Sequence, residues 1–105
     1  MAAYNVLPAS NTTVTTGGTP VAVFPAGIAG GIITNPYVKE DQNLGALEPL
    51  YVCVTGNATL NGNTETFALQ PGESWNAIPY QNTITTVNAA TGGHQFSAIY
   101  WVDAT

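Results

Sequence analysis

The chain has 105 residues with a net charge of −5, built from six acids and a single cation, Lys39. Charged residues are only 7% of the total, against roughly 25% in a typical soluble domain, so the polar surface must be Thr, Asn, Gln and Ser. Nucleic acids and anionic membrane surfaces are excluded as partners, because both are bound through clustered Lys and Arg, while the apolar share is too high for a disordered chain.

The opening MAAYNVLPAS has neither a basic start nor an apolar core, so no signal peptide is expected. Tyr4, Val6, Leu7 and Pro8 are too apolar for an idle tail, and residues 1–11 are read as an N-terminal arm that reaches a partner. Beyond it, apolar residues recur with a period of two, in short pieces separated by Gly, Pro and Asn, and no amphipathic helix is legible. Strands are predicted near Thr12–Thr16, Val21–Phe24, Gly31–Thr34, Leu50–Thr55, Glu65–Gln70, Trp75–Ile78, Ile84–Val87 and Phe96–Val102. Gly17-Gly18, Pro25-Ala26-Gly27, Asn61-Gly62, Pro71-Gly72 and Gly92-Gly93 supply the turns between them. About eight short strands at a spacing near ten residues predict an all-β fold, an antiparallel β-sandwich of jelly-roll type, as one domain over residues 12–105. The longest apolar stretch, GIAGGII at 27–33, falls far short of the about 20 residues that span a membrane.

Residues 35–50, NPYVKEDQNLGALEPL, hold Lys39, Glu40, Asp41 and Glu48, four of the seven charged side chains. Length and polarity predict a long surface loop, with one helical turn at 39–44. A solvated connection is the simpler reading; as a binding loop it offers Tyr37, Lys39, Glu40 and Asp41 to a partner. LYVCV (50–54) and FSAIYW (96–101) are apolar on both faces. In the latter, Phe96, Ala98 and Tyr100 share one face, and Ile99 and Trp101 the other. Such strands are expected to be central in a sheet or covered by a neighbouring subunit, which makes Tyr100 and Trp101 candidate residues of an oligomer interface.

The chemistry of a catalyst is missing. A metal site in a sandwich needs several His and a carboxylate on one ion, and the one histidine, His94, sits in TGGHQF, where it reads as a solvated or hydrogen-bonded turn residue. GESW (72–75) is not a nucleophile elbow for Ser74, and Ser10 and Ser97 have no second base to draw on. Cys53 excludes an internal disulfide and fits synthesis in a reducing cytoplasm; inside an apolar strand it is expected to be a small hydrophobe with a raised pKa. Glu65 and Glu73 flank one hairpin but sit in turns, and Asn57, Asn61, Asn63 and Glu65 match no calcium-loop spacing. Trp75 and Trp101 lie among apolar neighbours and read as core or interface rather than as sugar platforms, while Tyr37 and Tyr80, beside prolines, are expected to be exposed. No catalytic residue, metal or cofactor is expected.

Taken in order, VTTGGTPVAVFPAGIAGGIITNP (14–36), ALEPLYVCVTGNATL (46–60), TFALQPGESWNAIP (66–79) and ITTVNAATGGHQFSAIYW (84–101) resemble a group of small virion proteins of tailed bacteriophages. The resemblance rests on glycines and turns, so it is a fold signature more than a site signature. It implies a structural component of the particle, expected on the capsid surface as a cement or decoration protein, made in the bacterial host cytoplasm. Its implied partners are the major capsid protein and further copies of itself, a trimer suiting capsid three-fold positions. In that role Tyr4, Val6 and Leu7 anchor the arm, with Tyr37, Lys39, Glu40 and Asp41 as polar rim contacts. The alternative, from another class, is a tail, fibre or vertex accessory protein that binds carbohydrate for adhesion.

Overall fold

The structure, a computed structural model, describes residues 3–37, 47–61 and 65–104. Ten short strands form, and no helix occurs among the described residues: β1 (Tyr4–Pro8), β2 (Thr13–Val14), β3 (Val21–Phe24), β4 (Gly30–Thr34), β5 (Leu50–Cys53), β6 (Thr66–Leu69), β7 (Ser74–Asn76), β8 (Thr85–Asn88), β9 (His94–Gln95) and β10 (Ser97–Asp103). The first half of the chain pairs with the second half in reverse order. β1 pairs with β10, β2 with β9, β3 with β8, β4 with β7, and β5 with β6, all antiparallel. The chain is therefore one long ribbon, bent back on itself between β5 and β6. Two further pairings, β10 with β4 and β8 with β5, roll that ribbon into two four-stranded sheets, β1-β10-β4-β7 and β3-β8-β5-β6. A double ribbon rolled in this way is a jelly roll, the sandwich that the strand spacing predicts.

The core lies between the two sheets. Val14, Val23, Phe24, Ile33, Leu50, Val52, Leu69, Val87 and Phe96 are buried there. Two aromatic contacts cross it: Phe24 on β3 meets Tyr100 on β10 with centroids 5.7 Å apart, and Phe67 on β6 meets Trp75 on β7 at 5.3 Å. The strands that read as apolar on both faces, β5 and β10, are each flanked by a strand on either side. Within β10 the alternation holds, with Ala98 and Tyr100 turned to the core and Ile99 left 47% exposed on the other face.

Three sequence expectations change. Residues 4–8 of the expected arm are β1, an edge strand laid along β10; the seven-residue β10 would otherwise leave one side of its backbone unpaired. The strand expected over Thr12–Thr16 shrinks to Thr13–Val14, where its short partner β9 ends. β9 is a separate rung, set off from β10 at Phe96, whose N–H donates to the Thr12 carbonyl at 2.9 Å. The helical turn expected at 39–44 lies outside the described residues.

The β10–β4 contact depends on two adjacent glycines. Gly30 faces Trp101 and Gly31 faces Tyr100. A Cβ at Gly30 would meet the Trp101 indole at 2.6 Å, and one at Gly31 would meet the Phe24 ring at 2.9 Å and the Ile99 carbonyl oxygen at 3.1 Å. The second site is walled by backbone and a fully buried ring, so it has little room to relax. Gly31→Ala is expected to destabilise the fold by about 1–3 kcal/mol through overpacking, read as a lower midpoint in urea unfolding with an unchanged slope.

Candidate functional site

Two features stand out once the side chains are in place: a buried polar cluster around His94, and an uncovered apolar sheet face. Gly93, with φ +83°, ends the turn that delivers His94 into β9. Of the solvated and hydrogen-bonded readings of His94 the second holds, because the imidazole is 1% exposed and bonded at both nitrogens. Nε2 lies 2.8 Å from Asn35 Oδ1, and Nδ1 lies 3.1 Å from Glu48 Oε1. The Asn35 amide nitrogen donates to the carbonyls of Glu48 and Leu69 at 2.9 and 2.8 Å. Its oxygen is thereby fixed as the group facing His94, and Nε2 must carry a proton. Glu48 also accepts the N–H and the hydroxyl of Thr91, both at 3.0 Å. Burial pushes the Glu48 carboxyl up, but the bonds from His94 and Thr91 outweigh it and hold the group below the usual carboxylate range. Nδ1 and the Glu48 carboxylate make the ring's second polar contact. With both ring nitrogens committed and no solvent access, His94 acts as a clasp. It ties Asn35 at the end of β4 to Glu48 just before β5, the two flanks of the 35–50 connection.

Other reactive groups are likewise engaged inside the fold. Burial pushes the Cys53 thiol up, but hydrogen bonds from Thr55, Thr66 and Gly56 outweigh it, so the thiol lies below its ordinary value rather than above it as its apolar strand suggests. Glu73 Oε1 accepts the Gln70 N–H at 2.6 Å and closes the Pro71-Gly72 turn. Tyr80, at φ 59°, donates its hydroxyl to the Asp103 carboxylate at 2.9 and 3.1 Å, which raises the phenol pKa. Among the described residues no three His, Cys, Asp or Glu gather as metal ligands would.

The outer face of the β1-β10-β4-β7 sheet is the second feature. Strand register sets Val6, Trp101 and Gly30 in one row, and Pro8, Ile99, Ile32 and Asn76 in the next, followed by Ser97, Thr34 and Ser74. Val6 is 64% exposed, and a shallow depression of ≈ 250 Å³ opens between Ile32, Thr34, Ser97 and Ile99. The one charged side chain in these rows, Asp103 opposite Tyr4, is already bonded to Tyr80. The other sheet differs. On its outer side Thr86 accepts from Ala58 N–H and donates to the Gly56 carbonyl, and Asn88 donates to the carbonyls of Ala58 and Gly18. Residues 56–58 thus lie over β8, and beside them runs a groove of ≈ 490 Å³ lined by Pro20, Ala22, Asn57, Asn82, Thr83 and Ile84.

The residues expected to bind partners scatter. Tyr4 and Val6 are exposed on the outer face, whereas Leu7 alternates to the inner side and is open only because β1 is an edge. Tyr37 is 69% exposed, near Gly72 at the far end of β4. Lys39, Glu40 and Asp41 lie outside the described residues. Tyr100 and Trp101 point to opposite sides of the sheet, the first into the core against Phe24 and the second outward over Gly30. Sequence reasoning missed Ile32 and Ile99 as surface residues, because only the register shows that they meet in one row. No family model, curated protein or solved structure matches the chain.

His94→Ala strands Asn35 Oδ1 and the Glu48 carboxylate, and is expected to cost about 2–4 kcal/mol in chemical unfolding at neutral pH. Because Glu48 is held below its unfolded value of about 4.3, its contribution is complete above that pH and is lost as pH falls through the folded value. Glu48→Gln should therefore be less stable than the parent near neutrality and lose less stability on acidification, as measured by thermal midpoints across pH.

Proposed function

We propose that the chain is a non-enzymatic structural protein of a phage particle, which binds the outside of the capsid as a cement or decoration protein and bridges neighbouring major capsid subunits. The observation that carries this reading is the outer face of the β1-β10-β4-β7 sheet. Val6, Ile32, Ile99 and Trp101 give it an apolar centre with a hydroxyl and amide rim, and its single carboxylate is internally bonded. Such a face docks on a neutral protein surface without burying an unpaired charge. A modest contact of this kind suffices on a lattice, where a copy that spans two subunits binds through both. Because it binds the assembled shell and not the dissociated subunits, each bound copy stabilises the shell by mass action. The resemblance of the glycine and turn pattern to small tailed-phage virion proteins supports the same reading, and the His94 clasp suits a part whose task is to hold shape.

The adhesion alternative would use the groove beside β8, whose Asn57, Asn82 and Thr83 side chains offer sugar-bonding groups, although no aromatic ring lines it. Copy number separates the two readings. Quantitative mass spectrometry of density-purified particles is expected to give on the order of one copy per capsid subunit; a few copies per particle would instead favour a tail or vertex role. Within the cement reading, Ile99→Lys should leave the thermal midpoint nearly unchanged, since surface substitutions shift stability by less than about 0.5 kcal/mol. The same variant should bind shells lacking the protein at least about tenfold more weakly, roughly a 1.4 kcal/mol loss. Full decoration by Ile99→Lys would remove this face from the shell contact.

A further inference from the structure

We propose that the free edge of β1 pairs antiparallel with β1 of a second copy about a two-fold axis, joining two sheets into one. β1 is the terminal strand of its sheet and every residue in it is exposed. Among the described residues no strand pairs with its outer side. The Ala104 N–H donates to the Ala3 carbonyl at 2.9 Å, and these residues stand directly opposite in the β1–β10 register. In an antiparallel pair bonded and non-bonded positions alternate. Asn5 and Leu7 therefore bond to β10, and Tyr4, Val6 and Pro8 turn their peptide groups to the open side.

That set of groups is self-complementary, and one register keeps every paired carbonyl opposite an N–H. With Asn5 facing Asn5 of the second copy, each Tyr4 meets the other copy's Val6, and the two Tyr4–Val6 pairs exchange four N–H···O bonds, with the Pro8 carbonyls beyond the paired segment and open to solvent. Moving the axis to Val6 also gives four bonds, but it sets Tyr4 against Pro8, which has no N–H, so the Tyr4 carbonyl faces a prolyl nitrogen inside the ladder without a donor. Natural edges are guarded against self-pairing by Lys, inward charges or extreme shortness. β1 has five residues and no charge, with Pro8 only at its end, whereas β7 at the opposite edge has three residues. The electrostatics favour a second copy over a charged partner. The chain carries −5 overall, yet the edge and its rows are neutral apart from Asp103, which Tyr80 already bonds. Two copies meeting here bury no new unpaired charge, and a basic or acidic partner would find nothing to pair with.

A contact of this length is smaller than the standard interface of about 1,600 Å², so the dimer is weak in solution, with dissociation in the range of about 10 μM to 1 mM. It is a property of the isolated protein and does not depend on the shell reading. In sedimentation equilibrium up to roughly 1 mM, the parent chain is expected to pass from monomer to dimer. Val6→Lys, at an exposed position, should raise the dissociation constant at least about tenfold without lowering the thermal midpoint. Asn5→Cys is the register test, because facing residues of a non-bonded pair stand about 4.5 Å apart at Cα, within disulfide reach. Under mild oxidation it should form a covalent dimer, which Asn5→Cys combined with Val6→Lys forms much more slowly. A parent chain still monomeric at the highest concentration overturns the proposal, as does a dimer insensitive to Val6→Lys or one that leaves Asn5→Cys unlinked.

Discussion

Two glycines facing two aromatic rings let the ribbon close. Where β10 lies along β4, Gly30 opposes Trp101 and Gly31 opposes Tyr100. The rings leave the sheet on opposite sides: Tyr100 enters the core against Phe24, and Trp101 lies over Gly30 on the outside. Any side chain at either glycine would have to push a ring or a carbonyl aside, so GG in GIAGGII and YW in SAIYW are one constraint written at two ends of the chain. Without this pairing β1 and β10 would form a loose two-stranded ribbon, and such a ribbon alone is at best marginally stable. With it, the second sheet has a partner to pack on, and the core from Val14 to Phe96 closes between them.

The scarcity of charge determines how the remaining polar groups are used. The chain has one cation, and the partner of Glu48 is instead a histidine, drawn out of solvent and bonded at both nitrogens to Glu48 and Asn35. Elsewhere amides and hydroxyls take the place of salt bridges. Thr86 and Asn88 hold the 56–58 segment over the β3-β8-β5-β6 sheet, and Asn11 donates to the Ala22 carbonyl at 2.8 Å. The result is an asymmetric sandwich. One outer face is partly covered by its own chain through polar bonds, and the other is left apolar and uncovered among the described residues.

Much of the fold was legible because it is local. Turn residues and period-two alternation placed eight of the ten strands, and two-sided apolarity in LYVCV and SAIYW marked the inner strands β5 and β10. What was not legible depends on long-range pairing. Tyr4–Pro8 looks like an arm until β10 is beside it. His94 looks like a turn residue because its partners, Glu48 and Asn35, are 46 and 59 positions away. The Cys53 thiol was misjudged in direction because its hydroxyl and backbone donors come from the following turn and from β6. Ile32 and Ile99 become a surface only through the β10–β4 register.

The uncovered face is the feature on which the functional reading rests, and it can be examined in place. Hydroxyl-radical footprinting of the protein free and bound to purified particles reads the solvent access of each side chain directly. Strong protection of Val6, Ile99 and Trp101 on binding is expected, with Ile84 beside the groove of the other sheet remaining reactive. Protection of Ile84 with Ile99 and Trp101 unchanged would contradict the assignment and move the working surface to the opposite sheet.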